Sequence, residues 1–199
     1  MPKKYDQVYF DSWYRGKESP IGSRSVLGRK VSHAVALTEL VLDRPLRSVL
    51  DVGCGEGRWQ PEVSKLRPGA TYLGIDSSDY VVKRYGAKRN IRLGTFAEIE
   101  YHVFEEPFDL VVCSDVLHYL TRPEILAGLP ALANALGGVA LLEVFTRSDE
   151  IEGDMAGFKR RYMGAYLEMF SAVGLVPVGM QAYVADEMAA DLDALDSPG

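Results

Sequence analysis

The sequence predicts an α/β fold: a doubly wound, mostly parallel sheet of six to seven strands with helices on both faces. Three observations carry this. Short apolar runs of strand length alternate with stretches of helical periodicity from Ser48 onward. One run, Phe108 to Cys113, is almost continuously apolar, as suits a parallel strand buried on both faces. A glycine-rich turn, Gly53 to Gly57, follows the first such run directly.

Ser25 to Asp43 reads as a helix, since Val31, Ala34, Val35, Leu37, Val41 and Leu42 recur at helical spacing and Arg44-Pro45 ends it. Ser48 to Val52 is a short apolar strand. Arg58 to Leu66 fits a helix, with Pro61 tolerated in its first turn and Pro68-Gly69 as the stop. Thr71 to Ile75 is a second strand ending at Asp76, and Ser77-Ser78-Asp79 begins a helix that runs to about Gly86. Ile91 to Leu93 and Phe108 to Cys113 are the third and fourth strands. Val116 to Leu120 and Pro123 to Leu136 are helical, Gly137-Gly138 is expected as a turn, and Val139 to Phe145 is a fifth strand. Lys159 to Val173 is a helix closed by Gly174. Leu175 to Val184 is expected as one last strand, bent at Pro177 and Gly179, which favours six strands or a broken last one. In such a sheet, ligands sit outside the carboxyl ends of the strands where strand order reverses.

The length, 199 residues, suits one domain with a full core. Three regions are expected: an N-terminal aromatic and basic lid with a helix (1–45), a cofactor-binding α/β domain (46–184), and an acidic, flexible tail (185–199). Net charge is −6, which argues against a nucleic-acid partner. No run of about 18 apolar residues suggests a membrane span, and no signal peptide is evident, so a cytoplasmic protein is expected. Two cysteines and three scattered histidines speak against a disulfide scaffold and against a metal site. The start is distinctive: seven Lys/Arg against three acids in residues 1–30, with Tyr5, Tyr9, Phe10, Trp13 and Tyr14 among them. Five aromatics in ten positions must pack on the core or over a ligand.

The glycine turn carries the first chemical signal. Its spacing in Val49-Leu50-Asp51-Val52-Gly53-Cys54-Gly55-Glu56-Gly57 is G-x-G-x-G, not the G-x-G-x-x-G of dinucleotide binders. Asp51 and Glu56 would repel a pyrophosphate and suit a ligand with a cationic end. Asp76 ends the second strand, the usual place for an acid that accepts from ribose hydroxyls. Gly94-Thr95-Phe96-Ala97 follows the third strand, where side chains flank an adenine, and Cys113-Ser114-Asp115 ends the fourth beside the same crevice.

With these residues the chain resembles the class I S-adenosylmethionine-dependent methyltransferases. The match runs from about Ser48 to Phe145, through the glycine loop, Asp76, the segment Phe108 to Leu120, and Gly137 to Glu143. The resemblance implies a Rossmann-like methyltransferase fold and S-adenosylmethionine as cofactor, with S-adenosylhomocysteine as product. It implies cofactor contacts from Asp51, Gly53, Cys54, Gly55, Asp76, Ser77, Thr95, Phe96 and Ser114. Two departures stand out. Thr95 occupies a position where the family often has an acid facing the adenine amino group. The two-stranded hairpin that usually closes the sheet is not evident in the sequence.

Methyl transfer requires alignment of an in-line attack on the sulfonium methyl, and removal of a proton from an amine or hydroxyl acceptor. His118 and Asp115, three apart on the segment leaving the fourth strand, are the candidate catalytic residues. For His118 the competing reading is a packed core histidine, and for Asp115 a helix N-cap. Trp13, Tyr14 and Tyr119 are the candidate substrate residues, and Arg15, Arg24 or Arg29 could meet a carboxylate on the substrate or cofactor. The expected activity is transfer to an N or O atom of a small molecule by a monomer or homodimer. The alternative is a non-catalytic cofactor-binding regulatory or partner protein. A nicotinamide-dependent oxidoreductase is disfavoured by the glycine spacing.

Overall fold

The computed structural model describes residues 4–15, 24–150 and 154–196. Seven strands form one sheet: β1 (Ser48–Val52), β2 (Thr71–Asp76), β3 (Ile91–Leu93), β4 (Phe108–Ser114), β5 (Leu136–Glu143), β6 (Leu175–Gly179) and β7 (Ala182–Ala185). Their spatial order is β3-β2-β1-β4-β5-β7-β6. The first five are parallel and β7 alone runs against β5. Order reverses between β1 and β4, which opens a crevice at their carboxyl ends. The helices are α1 (Gln7–Arg15), α2 (Arg24–Leu42), α3 (Trp59–Leu66), α4 (Asp79–Arg89), α5 (Arg122–Asn134), α6 (Met163–Ser171) and α7 (Asp186–Asp196).

The sheet divides two cores. Leu50, Val52, Val111, Cys113, Ala140 and Leu142 point to one face and pack with Ile125, Leu129 and Leu132 of α5 and Tyr166, Met169 and Phe170 of α6. Val49, Leu110, Val112, Val139 and Leu141 point to the other and pack on Val31, Ala34 and Val35 of α2 and Val63 of α3. This alternation is the period-two pleat acting on strands that are apolar at most positions on both faces. At the base of the crossing, Asp109 accepts both Arg44 guanidinium nitrogens at 2.8 Å and the Arg47 amide at 2.7 Å. These contacts hold the Asp109 carboxyl below its usual range despite partial burial.

Three expectations need correction. Gly137 and Gly138 lie within β5 and form no turn. They are small because β4 passes close by: a Cβ on Gly138 would stand 2.4 Å from the Asp109 carbonyl oxygen. The last strand is a hairpin, so the sheet has seven strands. Gly179, Met180 and Gln181 all take positive φ (107°, 49°, 60°), and this reverses the chain. Gln181 then seals β5, its carbonyl accepting from the Leu142 amide and its side chain from the Val144 amide. The acidic segment from Asp186 is helical, with Met188, Ala189 and Leu192 against the second core, and residues 197–199 lie outside the described residues.

Candidate active site

A cavity of about 690 Å³ opens at the carboxyl ends of β1, β2 and β4. Its floor is the glycine loop. The Gly53 and Cys54 amides both donate to the Ile75 carbonyl, at 2.7 and 3.2 Å, which ties the loop to the end of β2. Gly53 (φ 72°) and Gly55 (φ 53°) are left-handed, where a side chain is strained. A Cβ would also collide, with Val116 Cγ2 at 2.3 Å from Gly53 and the Tyr14 hydroxyl at 2.5 Å from Gly55.

Asp76 is buried and joins loop, strand and helix. Its Oδ2 accepts from the Gly55 amide at 2.8 Å and its Oδ1 from the Ser78 amide at 2.9 Å. Burial raises its pKa, and these two amide bonds oppose that rise. Asp51, also buried, accepts the Tyr72 hydroxyl at 2.6 Å. Burial pushes its carboxyl up to about 7, with the nearby Asp76 charge acting in the same direction.

The candidate cofactor, catalytic and aromatic substrate residues from the sequence line this one cavity: Asp51, Gly53, Cys54, Gly55, Asp76, Ser77, Thr95, Phe96, Ser114, Asp115, His118, Tyr119, Trp13 and Tyr14. Their local roles differ. The Thr95 hydroxyl donates to Glu98 at 2.7 Å, closing the turn after β3. The Cys54 thiol is buried, which raises its pKa and removes it as a nucleophile. Asp115 is not an N-cap: it has a left-handed backbone (φ 62°), and the single 3-10 turn Leu117–Tyr119 starts after Val116. Its carboxyl faces the cavity solvent with protein close on its other sides. Desolvation, then the Glu143 charge, push it up to about 6. His118 is 1% exposed and ringed by Tyr119, Phe145 and Phe158. Its Nδ1 accepts from the Phe145 amide at 3.3 Å, which assigns the ring proton to Nε2. Such an imidazole holds a position and offers no basic nitrogen at Nδ1 to an acceptor.

One lining pair escaped the sequence reading, whereas Asp154 falls in the polar segment Arg147 to Gly157, which the sequence places beside the substrate pocket. Lys30 of α2 donates to Glu143 at the end of β5 at 2.5 Å, and the Ser114 hydroxyl donates to the same carboxylate oxygen. The two ends of that pair are 113 positions apart, so no local pattern could show it. Asp154, from the polar segment after β5, also lines the cavity.

The N-terminal aromatics Tyr5, Tyr9, Phe10, Trp13 and Tyr14 also line the cavity. Phe10 of α1 is 2% exposed and packs on Tyr80 (centroids 5.7 Å apart) and Tyr14 (5.1 Å). Arg15 is held by Glu56 of the glycine loop and donates to the Tyr85 hydroxyl at 2.8 Å, so it is engaged by protein groups. Arg29 is exposed and outside the cavity lining, and the Arg24 side chain lies outside the described residues.

The fold and cavity define a Rossmann-like cofactor domain of the kind that also carries methyl transfer. A family model described as "Methyltransferase domain" matches residues 25–188, and the chain belongs to that family. Among curated proteins it is 28% identical over 167 residues to a trans-aconitate 2-methyltransferase of Deinococcus radiodurans, covering 71% of this chain and 63% of that protein. It is 25% identical over 158 residues to a ubiquinone biosynthesis O-methyltransferase of Hydrogenovibrio crunogenus, covering 75% and 59%. The chain thus spans less than two thirds of these relatives. Among solved structures, the sugar N-methyltransferase KedS8 from Streptoalloteichus superposes with a TM-score of 0.67 at 16% identity, covering 89% of this chain and 88% of that one. The amino pentose methyltransferase CalS10 from Micromonospora echinaspora superposes at 0.64 and 19%, covering 93% and 98%.

Proposed function

We propose that the chain transfers a methyl group from S-adenosylmethionine to a nitrogen or oxygen of a small molecule. The observation that carries this reading is the convergence of three strand ends on one cavity: the β1 glycine loop, Asp76 of β2 and Ser114-Asp115 of β4. The lining fits the cofactor. Left-handed glycines with no room for a Cβ let a ligand lie on the backbone, and Asp76 keeps lone pairs for a ribose diol. The carboxyl groups of Asp51 and Asp76 on the lining favour a cationic amino-acid end over a phosphate.

When bound, S-adenosylmethionine supplies an electrophilic methyl carbon and leaves as a neutral thioether. The protein's residues do the rest. Asp76 fixes the ribose, Gly53, Cys54 and Gly55 present backbone to the methionine portion, and the Ser114 carbonyl accepts from its ammonium. Phe96 covers the adenine, with Ser77 and Thr95 beside it. Asp51 anchors the strand before the loop through the Tyr72 hydroxyl, and Asp76 holds the loop itself through the Gly55 amide. The α1 helix, with Trp13 and Tyr14, closes the cavity and excludes water. Asp115, poised near 6, takes the acceptor's proton, and His118 positions the turn that carries Tyr119.

The test is calorimetric titration of wild type and Asp76→Ala with S-adenosylmethionine, S-adenosylhomocysteine and NAD. Micromolar binding of the first two, lost in the variant, with none of NAD, supports the reading. No binding of either by the wild type defeats it. Binding with no turnover across an acceptor panel would favour the non-catalytic alternative.

A further inference from the structure

One wall of the cavity has chemistry that the cofactor does not use. It runs from α1 to the segment after β5 and is built from Tyr5, Tyr9, Trp13 and Tyr119, all half-buried. Tyr5 and Tyr9 meet edge to face with centroids 5.0 Å apart, and Trp13 follows at 6.4 Å. Asp154 sits among them: the Tyr119 hydroxyl donates to its backbone carbonyl at 2.7 Å. After desolvation, the Asp154 charge is the next cause of the raised phenol pKa values of Tyr5, Tyr9 and Tyr119. The negative charge that disfavours a phenolate there attracts a cation. Asp115 adds a second carboxylate to the same cavity. Lys30, the lysine among the lining residues, is committed to Glu143, and Arg58 lies over the Tyr14 ring at 5.8 Å, on the glycine-loop side.

We propose that this wall is the acceptor subsite and that it selects a cationic amine, its ammonium head against the ring faces of Tyr5, Tyr9, Trp13 and Tyr119 and beside Asp154. The assignment deepens the methyl-transfer reading of the same cavity and rests on it. Aromatic faces with a nearby carboxylate are the usual receptor for alkylammonium groups. An anionic acceptor such as trans-aconitate would meet like charge from Asp115 and Asp154. The bound ammonium gives one proton to Asp115. The freed nitrogen lone pair forms the bond to the methyl carbon, while the carbon–sulfur pair stays on sulfur.

The test uses the full chain with saturating S-adenosylhomocysteine. Three probes are titrated by calorimetry and by the fluorescence of Trp13 and Trp59, which both line the cavity. They are choline, its uncharged carbon isostere 3,3-dimethylbutan-1-ol, and trans-aconitate. Choline is expected to bind about tenfold more tightly than the isostere, with trans-aconitate weaker than both. Asp154→Asn and Tyr9→Leu should each reduce that preference severalfold, with the melting temperature of Asp154→Asn near wild type. Equal binding of choline and isostere, or tighter binding of trans-aconitate, overturns the subsite and leaves methyl transfer standing. If S-adenosylhomocysteine does not bind, methyl transfer fails, and the choline preference measured without it still decides the subsite.

Discussion

Gly55→Ala probes the contact between the N-terminal helix and the glycine loop. The new Cβ adopts φ 53°, which costs a non-glycine residue about 1–2 kcal/mol. It also meets the Tyr14 hydroxyl at 2.5 Å, whereas the next atom, Tyr14 Cζ, stands at an ordinary 3.4 Å. Relieving that overlap displaces the Tyr14 ring from the loop, at about 1–2 kcal/mol for a packed site. The sum is about 2–4 kcal/mol. Removing the hydroxyl relieves only the second part, so Tyr14→Phe in the Gly55→Ala background should restore about 1–2 kcal/mol. The same change in the wild-type background should be nearly neutral. Urea unfolding of the four proteins measures this double-mutant cycle, with S-adenosylhomocysteine titration alongside. Equal effects of Tyr14→Phe in both backgrounds would falsify the packing of α1 on the loop in solution.

Four further outcomes are expected. Asp115→Asn should slow turnover, and wild-type turnover of a neutral-oxygen acceptor should climb about tenfold between pH 5 and pH 8, because a base with a pKa near 6 is free only above it; a flat profile would exclude Asp115 as the base. His118→Asn should change kcat less than Asp115→Asn does, as measured side by side at pH 8. Asp109→Ala should destabilise by about 3 kcal/mol in urea, since it leaves Arg44 and the Arg47 amide without their acceptor. That contribution is complete above the unfolded carboxylate pKa and is lost as pH falls through the lower folded value, so wild type and variant should converge in strong acid. Asp51 has the opposite sign: its folded pKa is raised, so its charged form opposes folding as pH climbs from about 4 towards 7. Asp51→Asn should therefore melt no lower than wild type at pH 8 while binding S-adenosylhomocysteine more weakly, and a large loss of stability there would refute the assignment.

The parallel half of the fold was legible because each strand is a short apolar run, and β1, β2 and β4 carry a polar residue at or beside their carboxyl ends. Asp51, Asp76 and Ser114 therefore mark the cavity in the sequence itself. The antiparallel end was not. The hairpin reverses through Gly179-Met180-Gln181, and two of these three left-handed residues carry side chains that give no turn signal. Gly137-Gly138 misled in the other direction, since glycine also marks close approach of a neighbouring strand. The acidic terminal segment hid a helix whose apolar residues, Met188, Ala189 and Leu192, are few among its acids. Within the site, the residue types were visible but their duties were not. The Lys30–Glu143 pair and the Phe145 amide on His118 are long-range contacts that only the folded sheet creates.

The two rims of the sheet bear on how copies of the chain can associate. β3, at one rim, is three residues long, and β6, at the other, carries Pro177 in its middle and ends at Gly179. A three-residue strand offers too short a ladder to template a neighbour, and a proline removes an amide donor from the opposite rim. Joining two copies into one continuous sheet, the shortest route to fibrous aggregation, is blocked at both rims.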